Sequence, residues 1–281
     1  TFLDIAKKGF AETPGVYYKA NGKVMENPER DFIHDLDSLP FPAWELLPYK
    51  NYHVGWLLDD LEPFLPVLSS RGCPFSCEYC PYPVAQGKKW RKRSATNVVD
   101  EMEYLINRFG IKGVLFRDPE FCLDRKRVKD ICHEIIKRGL SVRWRCETRI
   151  EDLDTELIKL MANAGCIGIN TAIENADIEI LRDVKRKGIS LNFAREIIAE
   201  CHKAGIKTFC FFIIGLPEDD TSSILKTIMF AKELGATNTQ FTVATPYPGT
   251  MLYKHAVEEQ LIEIGEAERI TGYLPTMKTR H

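Results

Sequence analysis

Ser69-Ser70-Arg71-Gly72-Cys73-Pro74-Phe75-Ser76-Cys77-Glu78-Tyr79-Cys80-Pro81 is the stretch on which the reading of this chain turns. Its Gly and Pro residues mark a loop, and it directly follows the β-rich run Val67 to Ser70. Three cysteines at C-x3-C-x2-C spacing can wrap one iron–sulfur cluster. Clusters of the 4Fe–4S type usually take four cysteines. Three leave one iron with an open position, which is what a cofactor or substrate needs. Zinc is the competing reading, and it would want a fourth Cys or His nearby. No cysteine precedes Cys73, the next after Cys80 is Cys122, and the nearest histidine, His53, lies in a separate segment. A ferredoxin-type cluster lacks its fourth ligand on the same count.

Outward from this loop, from about Pro63 onward, short β-rich runs alternate with helical ones. Strands are expected at Val67 to Ser70, Val114 to Arg117, Val142 to Cys146, Ile167 to Ile173, Thr208 to Ile214 and Thr239 to Ala244. Several are apolar at nearly every position, as parallel strands buried on both faces are. Helices are expected where apolar residues recur at helical spacing: Val98, Met102, Leu105, Ile106; Val128, Ile131, Cys132, Ile135; Leu157, Leu160, Met161, Ala164; Ile197, Ile198, Cys201; and Ile224, Leu225, Ile228, Ala231. Each run stops at a glycine suited to a helix end: Gly110, Gly139, Gly165, Gly205 and Gly235. The pattern predicts an α/β fold, a partial (β/α)6-type TIM barrel, with a doubly wound sheet as the alternative. In either, chemistry belongs at the C-terminal ends of the strands.

Residues 1–61 read as a linker segment and residues 62–281 as the core domain. The linker holds an expected hairpin, Val16 to Tyr18 against Lys23 to Met25 through Asn21-Gly22. A Pro-rich extended stretch follows, Leu39-Pro40-Phe41-Pro42-Ala43-Trp44. With 38 Lys and Arg against 40 Asp and Glu, the net charge of −2 gives no support for nucleic acid as a general partner. The strongest apolar run, Phe209 to Leu216, is far too short to span a bilayer. No secretory signal opens the chain, and nine cysteines without one argue against a disulfide framework, so a cytoplasmic location is expected. The first residue is Thr, so a longer parent protein is expected. Cys132, Cys146, Cys166, Cys201 and Cys210 read as small core residues, and Cys122, after a strand-end loop, stays a functional candidate.

These motifs resemble the radical S-adenosylmethionine (SAM) superfamily, whose signature is the C-x3-C-x2-C loop with an aromatic, here Tyr79, before its last cysteine. The resemblance runs from about Pro63 to His255 and looks closest to the branch with a cobalamin-binding domain ahead of the core. Asp35-Leu36-Asp37-Ser38-Leu39-Pro40-Phe41-Pro42 resembles that branch's linker. Phe116-Arg117-Asp118-Pro119-Glu120-Phe121 and Trp144-Arg145-Cys146-Glu147-Thr148-Arg149 resemble its second- and third-strand motifs. Gly215-Leu216-Pro217-Glu218 and Pro246-Tyr247-Pro248-Gly249-Thr250 resemble its fifth- and sixth-strand loops. The fourth-strand motif departs: where the family usually reads Gly-x-Glu-Ser-Gly, this chain has Ala172-Ile173-Glu174-Asn175-Ala176. No Asp-x-His-x-x-Gly cobalamin motif is present.

The resemblance implies a 4Fe–4S cluster on Cys73, Cys77 and Cys80, SAM as cofactor, and leaves room for cobalamin on a domain ahead of this chain. It implies reductive cleavage of SAM to a 5′-deoxyadenosyl radical, with methyl transfer to an unactivated carbon as the expected outcome. Cyclisation and methylthio transfer are the sister outcomes, and a non-catalytic metal-stabilised binding module is the alternative of another class. A small-molecule substrate and a reductant such as a flavodoxin or ferredoxin are the implied partners. Tyr79 is expected against adenine or in simple packing. Asp118 or Glu120 is expected to accept from the SAM amino group, or to be a solvated loop charge. Arg149 suits the SAM carboxylate, or a salt bridge with Glu147 or Asp152. Glu174 suits ribose hydroxyls. Gly215, Leu216 and Pro217 let backbone approach adenine, or form a bare strand-to-helix turn. Lys185-Arg186-Lys187 reads as a solvated face, from which Lys187 can reach a carboxylate.

Overall fold

The structure is a computed structural model and describes residues 2–51, 60–183, 189–262 and 277–278. The chain divides into two compact units, Thr1–Leu36 and Asp37–His281. The smaller holds helix α1 (Phe2–Lys8) and a hairpin of β1 (Tyr17–Ala20) and β2 (Lys23–Glu26). Asn21 and Gly22 both have positive φ, 50° and 76°. That is the two-residue turn that an Asn-Gly pair favours between strands.

In the larger unit, strands β3 (Phe64–Val67), β6 (Gly113–Phe116), β7 (Arg143–Glu147), β8 (Cys166–Glu174), β9 (Lys207–Ile214) and β10 (Asn238–Val243) form one sheet. Its order is β10-β9-β8-β7-β6-β3, and every pair is parallel. The strand order follows the sequence, as successive βα units demand, and the sheet is an open partial barrel with β3 and β10 at its edges. Between the strands lie α3 (Ala95–Phe109), α4 (Arg125–Lys137), α5 (Thr155–Asn163), α6 (Ile178–Asp183), α7 (Leu191–Lys203) and α8 (Thr221–Leu234). The short helix α2 (Tyr82–Gln86) follows the cysteine loop, and α9 (Met251–Glu258) follows β10. A two-stranded antiparallel ribbon, β4 (Ser70–Arg71) with β5 (Arg91–Lys92), brackets the cysteine loop.

Each long helix starts on a side-chain cap. Ser94, Asp124, Asp154, Ser190 and Asp220 accept from the backbone N–H three residues on. The expected glycine stops all have positive φ. The core lies between the sheet and α3, α4, α5 and α7, around Phe116, Phe121 and Trp144, which are in mutual ring contact. Each fully buried Leu, Ile or Phe there contributes about 1.5–3 kcal/mol.

Two expectations need correction. The first strand is Phe64–Val67, not Val67 to Ser70. Its alternation buries Leu65 and Val67, and Pro66, with no N–H to give, is tolerated because β3 is an edge strand. Only part of the apolar face expected for α8 is its core face, Ala231 being buried as expected. Leu225 and Ile228 are exposed, whereas Ser223, Thr227, Phe230, Ala231 and Leu234 are buried. Polar anchoring at the N-terminal end of α8 sets this rotation, as described below.

At the N-terminal ends of the strands, Asp60 pairs with Arg145 of β7 and Lys207 of β9, both at 2.7 Å. Gly168 of β8 leaves room for Arg145, whose side chain a Cβ there would meet at 3.0 Å. Among the described residues no helix is long and apolar enough to cross a membrane.

Candidate active site

The cysteine loop is held from below by one buried carboxylate. Asp118, just beyond β6, accepts from Ser69 N–H at 3.1 Å, from Ser69 Oγ at 2.9 Å, and from Ser70 Oγ. Arg127 of α4 reaches the same spot, donating to Ser69 Oγ at 3.0 Å. Asp118 is 1% exposed, and burial pushes its pKa up while Ser70 and the Arg127 charge pull it down. The end of α2 holds the loop from the side, where Cys73 N–H donates to Gly87 O at 3.1 Å. Gly72 sits at φ +84°, and a Cβ there would meet Lys89 O at 2.3 Å, so only glycine fits this approach. From above, Leu252 N–H of α9 donates to Glu78 O at 3.0 Å. Thr250 caps that helix by accepting from Tyr253 N–H, which brings the sixth-strand loop against the cysteines.

The other strand ends converge here unequally. Tyr79 Oη donates to Glu174 Oε1 at 2.5 Å, which joins two candidate residues 95 positions apart. Glu174 ends β8 in the left-handed region, φ +72°, and is buried. A non-glycine residue held there stores strain of about 1–3 kcal/mol. Tyr79 also packs against the cluster of Leu216, Ile180 and Ala244, which brings the Leu216 turn to the residue before the last cysteine. Glu120 is buried and accepts from Thr148 Oγ1 and from Arg149 N–H at 2.8 Å. The carboxylates of Asp118 and Glu120 are therefore both engaged inside the protein. Arg149 pairs with Glu151 at 2.7 Å, and its guanidinium lies 4.0 Å from the Phe75 ring centre. Lys185-Arg186-Lys187 lies outside the described residues.

Four residues of the site were not anticipated. Asn175 Nδ2 donates to Asp219 Oδ1 at 3.1 Å, and Thr227 Oγ1 donates to Asn175 Oδ1 at 3.0 Å. Ser223 Oγ donates to Asp219 Oδ1 at 2.6 Å, and Asp219 Oδ2 accepts from Leu216 N–H at 3.0 Å. This network locks the Glu174-Asn175-Ala176 corner to the Leu216 turn. The departure from the family motif is thus compensated locally, and α8 buries its hydroxyls to supply the donors. Serine and threonine at helical spacing inside an apolar run were the available signal.

The donor set fits an iron–sulfur cluster. Burial pushes the Cys73 thiol up. Burial, with the charges of Cys77 and Cys73, pushes Cys80 up to about 11. Three thiols gathered where negative charge is penalised form a site short of positive charge, which iron supplies. Among the described residues no three His, Cys, Asp or Glu converge as they would on a single ion. A cubane, in which each thiolate takes its own iron, does not ask them to. The remaining six cysteines, Cys122 included, are buried.

The profile of the radical SAM superfamily matches residues 67–269. The chain belongs to the radical SAM superfamily. This radical SAM chain is 36% identical over 267 residues to an uncharacterized methyltransferase of Pyrococcus horikoshii, covering 95% of this chain and 57% of that protein. It is 29% identical over 282 residues to the anaerobic magnesium-protoporphyrin IX monomethyl ester cyclase of Cereibacter sphaeroides, covering 96% and 44%. Among solved structures, it is similar to the radical SAM methyltransferase TsrM of Kitasatospora setae, with cobalamin and a [4Fe-4S] cluster bound. There the TM-score is 0.65 and the identity 26%, over 69% of this chain and 39% of that one. The cobalamin-dependent radical enzyme OxsB shares the fold, with TM-score 0.74 and 16% identity over 99% of this chain and 46% of that one. The radical SAM chain spans about half the length of the curated relatives it matches.

Proposed function

We propose that this chain is the radical-generating part of a cobalamin-associated methyltransferase that acts on an unactivated carbon of a small molecule. The observation that carries the reading is the junction of the three-cysteine loop with Glu174 through Tyr79. It sets a strained, buried carboxylate beside the thiols that would hold the cluster. When bound, the cluster and SAM supply one-electron cleavage of a carbon–sulfur bond, the hard step that a cofactor rather than a side chain performs. Cys73, Cys77 and Cys80 hold the metal. Glu174 orients the ribose hydroxyls, with Tyr79 fixing its rotamer. The Leu216 turn lies against adenine, and Arg149 pairs with the SAM carboxylate. Glu120 positions Arg149 through that residue's backbone N–H, while Asp118 positions the loop through Ser69 and Ser70. The similarity to relatives named as methyltransferases supports the reaction type. Similarity to the ring-forming cyclase favours a second reading, cyclisation on the same site.

Anaerobic reconstitution with iron and sulfide tests this, followed by electron paramagnetic resonance of the reduced protein with and without SAM. A signal that shifts on adding SAM and is lost in Cys77→Ala is the expected result. A cluster indifferent to SAM would sink the reading. With the longer protein and candidate substrates, label from the SAM methyl group in the product separates methyl transfer from cyclisation.

A further inference from the structure

The strand that flanks the cysteine loop carries charge that the site described above does not use. Residues Lys88-Lys89-Trp90-Arg91-Lys92-Arg93 hold five basic side chains and no acidic one, in a chain of net charge −2. Arg91 and Lys92 form β5 of the ribbon, and Lys88, Lys89 and Trp90 lead into it from Gly87, whose carbonyl accepts from Cys73 N–H. Two of the five turn inward. Arg93 pairs with buried Glu101 and donates to Leu68 O at 3.1 Å, and Arg91 is buried. Lys88, Lys89 and Lys92 are exposed. Lys92 meets Asp124, whereas Lys88 and Lys89 have no ion pair among the described residues.

A second observation points the same way. Arg71 and Arg91 are register partners in the ribbon. Like charges directly opposite destabilise an antiparallel pair, and a ladder this short has few bonds to offset them. The ribbon therefore concentrates positive charge at the cysteine loop at a cost to its own stability.

A basic run interrupted by tryptophan suits nucleic acid as a sequence, but the structure argues otherwise. The Trp90 ring is half-buried and taken up by Arg127 and Lys92, each 5.7 Å from its centre, so it offers no face to a base. What faces solvent is ammonium, a point charge suited to protein carboxylates, while the guanidinium groups that favour phosphate are turned in.

We propose that the segment leading into this ribbon, centred on Lys88 and Lys89, is the docking surface for an acidic one-electron donor protein of the ferredoxin or flavodoxin class. The proposal rests on the cluster reading above. One electron leaves the donor's reduced centre and enters the cluster on Cys73, Cys77 and Cys80; no bond forms or breaks. Gly87, the residue before Lys88, accepts from the backbone N–H of Cys73, so a donor seated on Lys88 and Lys89 stands close to the acceptor.

The test is the affinity of the protein for an acidic plant-type ferredoxin, measured at low and high salt. Wild type is compared with Lys88→Glu/Lys89→Glu, the milder Lys88→Gln/Lys89→Gln, and Lys19→Glu/Lys23→Glu in the hairpin as a control of equal charge change. Binding is expected to weaken with salt and to fall roughly tenfold in the ribbon reversal, less in the Gln pair, and not in the control. In the reconstituted protein, reduction by ferredoxin slows in the ribbon variants, whereas dithionite reduces all four alike. Ribbon variants that bind ferredoxin and accept its electron as wild type does would overturn the proposal. So would ribbon variants that lose affinity only for a single-stranded RNA oligonucleotide. Binding is read with or without the cluster, so failure of the cluster to assemble counts against the enzyme reading and leaves the docking result standing.

Discussion

Glu174 is the residue at which stability and function pull apart. Its φ of +72° suits glycine, and its carboxylate is the partner of Tyr79. Glu174→Ala keeps the strain and loses the carboxylate; Glu174→Gly loses both. In thermal melts Glu174→Gly is therefore expected to be more stable than Glu174→Ala by about 1 kcal/mol, while isothermal titration shows both binding SAM at least roughly tenfold more weakly. Glu120 gives a pH prediction. Burial, with the neighbouring Asp152, pushes its pKa up to about 8 against the pull of Thr148 and Arg149 N–H. A carboxyl that holds its proton more tightly folded than unfolded stabilises the fold fully below its unfolded pKa, near the ordinary 4.5, and loses that contribution as pH rises through 8. The apoprotein should lose melting temperature between pH 5 and 9, and Glu120→Gln should flatten that slope; an unchanged slope would count against the assignment. At this scale the cysteines were legible because their spacing is local. The Tyr79–Glu174 bond was not, because it spans 95 positions and only the fold brings its ends together.

At the scale of elements, the loop that matters has little structure of its own and borrows its shape from neighbours. Asp118→Ala removes the acceptor of Ser69 and Ser70 and leaves the Arg127 charge buried, at a cost of about 3–5 kcal/mol. Gly72→Ala forces a Cβ onto Lys89 O and should separate the ribbon from the loop. Its iron content after reconstitution is expected to fall well below wild type, with the far-UV circular dichroism unchanged; full iron loading would refute this account of Gly72. The helices and strands were largely readable from apolar period and glycine stops. The exception, α8, shows what periodicity misses. Leu225 and Ile228 carry the hydrophobic signal, but Ser223 and Thr227 answer buried acceptors at Asp219 and Asn175. An unmet buried acceptor costs more than an exposed aliphatic side chain.

Across the whole molecule, the sheet order followed from alternating βα units, while the bracing at the far end of the sheet did not. Asp60 ties Arg145 on β7 to Lys207 on β9 across β8, and nothing in its sequence neighbourhood marks it. Asp60→Asn should lower stability by about 2 kcal/mol, because Arg145 is buried and keeps its charge, with little effect on SAM affinity at the opposite end. Comparable losses in both would mean that the two ends are coupled. The placement of the nine thiols has one more consequence, for biogenesis. Six are sealed in the interior and three stand half-exposed at the mouth. An unfolded chain offers all nine to iron, and a metal that binds unfolded thiols stabilises the wrong state. The fold acts as a filter on metallation: the polypeptide must close first and meet its iron second, and assembly attempted in the other order should yield miswired, insoluble protein.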